Sequence, residues 1–274
     1  MVAVAFGIFG LIVGSFLNVL IIRHGVRSVN GRSGCMACGK QLGWYDMIPV
    51  VSWLILRGRC RECRARISIQ YPLVEVALGI LFATIGGAPI DMYAKIAYCV
   101  IAALFVAIAA YDIRHTIIPD PWAYTLAALA LLTGAFTVDL DGFVLFLFAG
   151  PLAALPLFLL WFVSGGRWMG LGDSKLALGI GWLLGIPLGV ASVFFAFILG
   201  AVISVGVLIP LPHIVRALGT YGITSLDTRG GGFTMTSEIP FGPFLIVSCI
   251  LLWLCTLYGV DPLLEIGLLP LAGE

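Results

Sequence analysis

Seven apolar runs, at 2–22, 72–87, 95–111, 122–138, 143–164, 176–210 and 241–259, decide what this chain can fold into. A helix that crosses a bilayer needs about 20 mostly apolar residues, and fewer where it bends. The run at 176–210 is too long for one comfortable crossing. Pro187 near its middle predicts two short spans meeting at a turn, giving eight spans in all. Seven is the alternative if that stretch crosses once. The first run lacks a basic n-region and a small-residue cleavage site, so it reads as a retained span rather than a signal peptide. No internal repeat stands out. The expected fold is an all-α polytopic membrane protein.

Composition excludes the other broad classes. With 61% hydrophobic residues and 34 glycines, the chain keeps only 15 basic and 14 acidic residues among 274. That is too few charges to clothe a soluble surface, or to bind nucleic acid through bulk charge. It is also too apolar for a disordered chain.

Charge placement supplies an orientation. Nine basic residues (Arg23, Arg27, Arg32, Lys40, Arg57, Arg59, Arg61, Arg64 and Arg66) fall within 23–71, against Asp46 and Glu62, a net +7. The positive-inside rule puts this segment in the cytoplasm and the N-terminus in the periplasm. Eight spans then also bring Arg114, Arg167, Lys175, Arg216 and Arg229 inside, leaving Lys95 outside with Asp91, Asp139, Asp141, Asp261, Glu265 and Glu274. A seven-span path would export Arg216 and Arg229. The chain divides into a first helix (1–22), a cytoplasmic loop domain (23–71) and a larger membrane domain (72–274). A second cytoplasmic stretch, 212–240, contains Gly230-Gly231-Gly232 and reads as a loop.

The loop carries Cys35-Met-Ala-Cys38 and Cys60-Arg-Glu-Cys63, with 21 residues between the pairs. Two such knuckles can hold one Zn²⁺ tetrahedrally, and a reducing cytoplasm disfavours disulfides. Four unrelated thiols or a redox dithiol are the alternatives. Four cysteines fill the coordination sphere, so the expected role is structural. Cys99, Cys249 and Cys255 lie in apolar spans and read as small hydrophobes.

Ionisable groups at span ends need an explanation. Asp120 before Pro121 reads as a helix N-cap. Glu75, soon after Pro72, serves either the helix dipole or a polar site. Asp112 ends a span where the dipole disfavours negative charge. Asp173, within Met169-Gly-Leu-Gly-Asp173-Ser-Lys175, starts another and could be an ordinary cap. Both aspartates fall at cytoplasmic ends, so packing can bring their carboxyls together. Close carboxyls share a proton, one acting as base toward water while the other polarises a carbonyl. Gly170 and Gly172 allow a sharp turn or a close backbone approach there. His24, His115 and His213 lack metal-ligand spacing, and no nucleophile elbow, P-loop or dinucleotide fingerprint is present. Ser15 and Asn18 read as interhelical hydrogen-bond formers.

These motifs resemble the type IV prepilin peptidases, also called prepilin leader peptidase/N-methyltransferases, in matching order through most of the chain. They run from Ser15-Phe-Leu-Asn18-Val and Arg23 through the cysteine pairs, which enclose Trp44-Tyr-Asp-Met-Ile-Pro49, Ser52-Trp53 and Leu56-Arg-Gly-Arg-Cys60. Ile67-Ser68, Tyr71-Pro-Leu-Val-Glu75, Asp112-Ile-Arg, Ile118-Pro-Asp120, the Gly170–Lys175 motif and Ile239-Pro-Phe-Gly-Pro243-Phe follow. Met36-Ala37 departs from the proline that many members have between the first cysteines, without changing ligand spacing. The resemblance implies a GxGD aspartyl endopeptidase of the bacterial inner membrane with eight spans. Such an enzyme removes the basic leader of prepilins or pseudopilins of type IV pili and type II secretion after a glycine. Bifunctional members then N-methylate the new terminus with S-adenosylmethionine. It implies that Asp112 and Asp173 are catalytic, that Cys35, Cys38, Cys60 and Cys63 hold zinc, and that Gly170, Gly172 and Lys175 shape the site. No residue independently marks a methyl-donor pocket. Asp46, Glu62 or Glu238 are candidates to meet the basic leader. An ion-coupled transporter and a zinc-stabilised scaffold are the competing classes. The transporter predicts carboxylates near the bilayer midplane on broken helices.

Overall fold

The computed structural model describes residues 1–24, 31–208, 240–260 and 262. Arg27, Pro210, all of the 212–240 stretch but its last residue (with His213, Arg216, Arg229, Gly230–Gly232, Glu238 and Ile239), and also Asp261, Glu265 and Glu274, lie outside the described residues. The described part is helical, with no strand: α1 (Val2–Arg23), α2 (Val51–Ile55), α3 (Gln70–Gly87), α4 (Met92–His115), α5 (Asp120–Ala135), α6 (Leu140–Ser164), α7 (Leu171–Ile203) and α8 (Gly242–Leu257). A 3-10 turn, Trp44–Met47, precedes α2. Five helices are long and apolar enough to cross a membrane: α1, α3, α4, α6 and α7. α8 is shorter and also apolar.

α7 is not one rod. Gly185 has φ 78° and ψ 176°, which ends the helix locally, and Pro187 follows. Residues eight apart on a straight helix stand about 12 Å apart. A Cβ built on Gly189 would instead lie 2.9 Å from the Cα of Gly181, so the chain doubles back across Gly185. Proline near the middle does mark the turn, while the glycine two residues earlier supplies the left-handed conformation. The two halves are compatible with eight crossings.

Lipid offers helices no hydrophobic reason to associate, so close backbone approach and interhelical hydrogen bonds hold the bundle together. A Cβ on Gly10 would meet the Leu78 carbonyl oxygen at 2.5 Å, and one on Gly14 would meet the Glu75 Cα at 2.7 Å, which seats α1 on α3. Asn18 closes the same contact, donating from Nδ2 to the Gly14 carbonyl (3.2 Å) and to the Tyr71 carbonyl on α3 (3.1 Å). α6 shows a second device. Pro151 has no N–H for the Leu147 carbonyl one turn earlier, and the Trp182 indole of α7 donates to that carbonyl at 3.1 Å.

The loop domain has little apolar interior; its order comes from two knuckles with one hydrogen-bond pattern. Cys35 N–H donates to the Lys40 carbonyl (2.9 Å) and Cys60 N–H to the Ala65 carbonyl (2.8 Å). Gly39 and Arg64, each just after the second cysteine of its pair, donate back to Cys35 and Cys60 and both have positive φ. Here a local repeat exists in structure that the sequence shows only as paired cysteines.

The α1–α3 seam gives a direct test. Gly10→Ala should lower the melting temperature in detergent, overpacking costing about 1–3 kcal/mol. Gly206→Ala, where a Cβ meets nothing within 4 Å, should leave it unchanged.

Candidate active site and metal centre

The four loop cysteines converge. Their Sγ atoms all lie within 4.8 Å of one another, and those of Cys35 and Cys63 are 3.7 Å apart. Tetrahedral Zn–S bonds of about 2.3 Å require sulfur pairs about 3.8 Å apart, whereas a disulfide needs about 2 Å. The donor set and spacing therefore fit one zinc-sized ion. Its electrostatics do too: amides of Cys38 and Ala37 lower the Cys35 thiol to about 6. An Ala65 amide favours the Cys63 thiolate, but desolvation and the three neighbouring thiols push it to about 11. Four thiolates this close need a cation among them. Cys99 and Cys249 are buried within the bundle, as their apolar surroundings predict.

The second cluster forms where the ends of α4, α7 and α8 meet. Asp112, in the last turn of α4, is 4% exposed, and Asp173, in the first turn of α7, is 8% exposed. The two carboxylates lie within electrostatic reach of each other. Ile118, in the link between α4 and α5, sits at the centre. A Cβ on Gly172 would come within 3.0 Å of the Ile118 Cβ, and one on Gly242 within 3.3 Å of its Cδ1. Gly172 thus permits close approach to Ile118. Backbone amides serve both acids: that of Gly242, at the start of α8, faces Asp112, and that of Gly170 faces Asp173.

These partners revise two local expectations. Asp173 is not the helix cap; Gly170 is, and Asp173 three residues on reaches back to its amide, one half of a capping box. The Asp112 carboxylate ends α4, where the dipole opposes it, yet it faces the amino end of α8, where a dipole favours it. Asp120 is also no cap. Pro119 holds that position, and Asp120 instead accepts from Lys175 Nζ at 2.7 Å, with the ammonium 5.3 Å from the Tyr124 ring centroid. Lys175 is thereby held away from Asp173, two residues earlier. Among the described residues neither aspartate of the pair has a basic partner.

Two family models match. "Bacterial Peptidase A24 N-terminal domain" covers residues 8–87 and "Type IV leader peptidase family" covers 99–205. A protein of Myxococcus xanthus named prepilin leader peptidase/N-methyltransferase is 36% identical over 211 residues, covering 74% of this chain and 62% of its own. Proteins of the same name from Dichelobacter nodosus (30% identical; 93% and 91%) and Bacillus subtilis (28%; 90% and 92%) match nearly end to end. The chain belongs to the type IV leader peptidase family. No solved structure matches. Both aspartates fall in the second matched segment and all four cysteines in the first.

Within this leader peptidase, Glu75 is the link between loop and membrane. It is 6% exposed, accepts the Val50 N–H at 2.7 Å and is hydrogen-bonded by Ser15. Val50 has φ 61°, a left-handed conformation that a β-branched residue rarely adopts, so this bond holds a strained turn. The polar-site reading of Glu75 is the one its surroundings match. Of the acids expected to meet a basic leader, Asp46 already holds Arg61 at 2.9 Å and Glu62 holds Lys40. Sequence reading missed Gly242 and Ile118 as parts of the aspartate cluster. The signal was present as Phe241-Gly-Pro243, a glycine and proline opening an apolar run.

Two outcomes follow from this geometry. Gly242→Ala would put a methyl 2.6 Å from the Asp112 Oδ2. It should cut leader cleavage roughly a hundredfold while the protein still melts as the parent does. The purified chain should carry one zinc by elemental analysis, and Cys60→Ser should lose it and leave the loop open to proteolysis.

Proposed function

We propose that this leader peptidase is a multi-pass inner-membrane aspartyl endopeptidase. It cuts the basic leader from a prepilin or pseudopilin at the cytoplasmic boundary, then N-methylates the new terminus with S-adenosylmethionine. The observation that carries the first activity is the meeting of Asp112 and Asp173, buried, from separate helices, with no basic side chain paired to either among the described residues. A buried carboxyl pair of this kind can share one proton and pass it between water and a substrate. The break in α7 argues against a transporter. Gly185 lies twelve residues beyond Asp173, about 18 Å along the helix, so the broken helix presents no acid at mid-depth.

In the proposed reaction one ionised aspartate takes a proton from water as its oxygen attacks the scissile carbonyl. The other, protonated, donates to the carbonyl oxygen. The proton acquired from water passes to the departing amine as the C–N bond breaks. The amides of Gly242 and Gly170 keep the two carboxyls oriented through this exchange. A prepilin pairs a basic leader with an apolar helix, so its scissile bond lies where the membrane ends, the depth assigned to both aspartates by the charge distribution. In the second reaction the freed amine attacks the sulfonium-bound methyl of the donor. The N–C bond forms while the C–S electron pair stays on sulfur, and water takes the amine's proton. The relatives' printed names, which include N-methyltransferase, support this step. The cysteine cluster holds structural zinc, keeping the loop folded against α1 and α3.

Mass spectrometry of a co-expressed pilin N-terminus reads both reactions. Asp112→Asn and Asp173→Asn should each reduce leader removal roughly a hundredfold to ten-thousandfold while remaining inserted. Normal processing by both inserted variants would refute the aspartyl reading.

A further inference from the structure

The loop domain does not stand clear of the bundle. Glu75 belongs to the second turn of α3, about 8 Å along the helix from Gln70, and there it accepts the Val50 N–H. Ser15, which also bonds Glu75, lies about 12 Å before the end of α1 at Arg23. A cavity of about 750 Å³ between loop and bundle repeats this depth. Ile12, Phe16 and Val19 of α1 share its wall with Met47 and Trp53 of the loop. The segment around Val50 is therefore sunk beside the apolar turns of α1 and α3, where the apolar runs begin and end.

What this sunken segment turns outward is apolar. Val51, Leu54 and Ile55, spaced i, i+3 and i+4 on α2, share one exposed face, with Leu54 60% and Ile55 70% exposed. Trp53, on the other side of α2, donates its indole N–H to the Ile67 carbonyl at 3.4 Å and belongs to the loop. α3 shows the same outward pattern. Ile69, Leu73, Val76 and Ile80 are exposed along one stripe at helical spacing, the face this span offers to lipid. Val50 is tied to Glu75, the neighbour of Val76, so the α2 face continues that stripe at its upper end. A soluble partner does not reach this level, whereas acyl chains fill it.

The flanks match an interfacial segment. Trp44, 76% exposed, precedes α2, and Arg57 and Arg59, both exposed, follow it. Asp46 engages Arg61 and Glu62 engages Lys40, but among the described residues Arg57, Arg59, Arg64 and Arg66 form no ion pair. Indole rings favour the headgroup level, and arginine stems lie along apolar surface while their guanidinium groups reach phosphate.

We infer that α2 anchors the loop domain in the adjoining leaflet. Val51, Leu54 and Ile55 enter the acyl boundary, Trp44 sits among headgroups, and Arg57 and Arg59 bind anionic lipid phosphates. The Val50–Glu75 bond fixes the depth. This anchoring requires neither cleavage nor methyl transfer.

Full-length protein in nanodiscs of phosphatidylcholine and phosphatidylglycerol tests the contact. Leu54→Trp and Ile55→Trp each add one indole at the stated depth, and an unchanged melting temperature shows that the fold is kept. Lipids brominated on the acyl chain should quench the added fluorescence about twofold or more, while acrylamide in the water quenches it little. Added fluorescence that acrylamide quenches and brominated lipid does not overturns the anchor. So does protection from both quenchers, which would mark a face between copies of this chain. Chymotrypsin nicking within the loop reads the charge. Discs of phosphatidylcholine alone should speed nicking of the parent roughly fivefold or more, and Arg57→Gln with Arg59→Gln should remove most of that difference. Equal nicking of the parent in the two lipids overturns the headgroup contact.

Discussion

The rest of the structure depends on keeping two carboxyl groups buried among apolar helix ends with, among the described residues, no basic side chain paired to either. Ionised acids in such surroundings are normally paired. Three acids outside the bundle core do have basic partners, Asp46 with Arg61, Glu62 with Lys40 and Asp120 with Lys175, while buried Glu75 accepts the Val50 N–H. Asp112 and Asp173 receive backbone amides instead, from Gly242 and Gly170. An amide orients a carboxyl without fixing it as an anion the way an arginine would. The tie between Lys175 and Asp120 belongs to the same economy of charge, since it engages the nearest ammonium elsewhere.

Glycine is what lets the Gly242 amide arrive. Gly172 and Gly242 pack tightly on Ile118, and a Cβ on Gly242 would come within 2.6 Å of the Asp112 Oδ2. α7 then folds back at Gly185 and packs its own halves together through Gly181 and Gly189. Small residues thus serve two ends, holding the bundle in lipid and admitting a backbone donor to the acid pair.

The membrane architecture was legible because 20-residue apolar runs have few other solutions, and the four-cysteine cluster because paired Cys-x-x-Cys spacing is specific. Asp112 and Asp173 stood out because each was placed against expectation or within a glycine motif. Capping roles were misread at Asp120 and Asp173, where the structure moves the cap to Pro119 and Gly170. Sequence shows which residue can cap but not whether a distant lysine competes for its oxygens. The contribution of α8 was hidden for the same reason. Its glycine lies 130 positions from Asp112, and only tertiary packing brings a helix amino end against a helix carboxyl end. The strained Val50 and its tie to Glu75 were likewise unreadable, because φ above zero at a valine contradicts local preference.

The loop domain bears on the carboxyl pair only at a distance. It is tied to the bundle by the Val50 N–H that Glu75 accepts near the start of α3, whereas the pair is assembled from the ends of α4, α7 and α8. The cavity between loop and bundle is lined by Arg114 and by neither aspartate. Residues two apart on a helix point about 200° apart, so Arg114 and Asp112 face opposite sides of the last turn of α4. If the pair cleaves a leader as proposed, loss of order in the loop would reach it through that turn and not through direct contact.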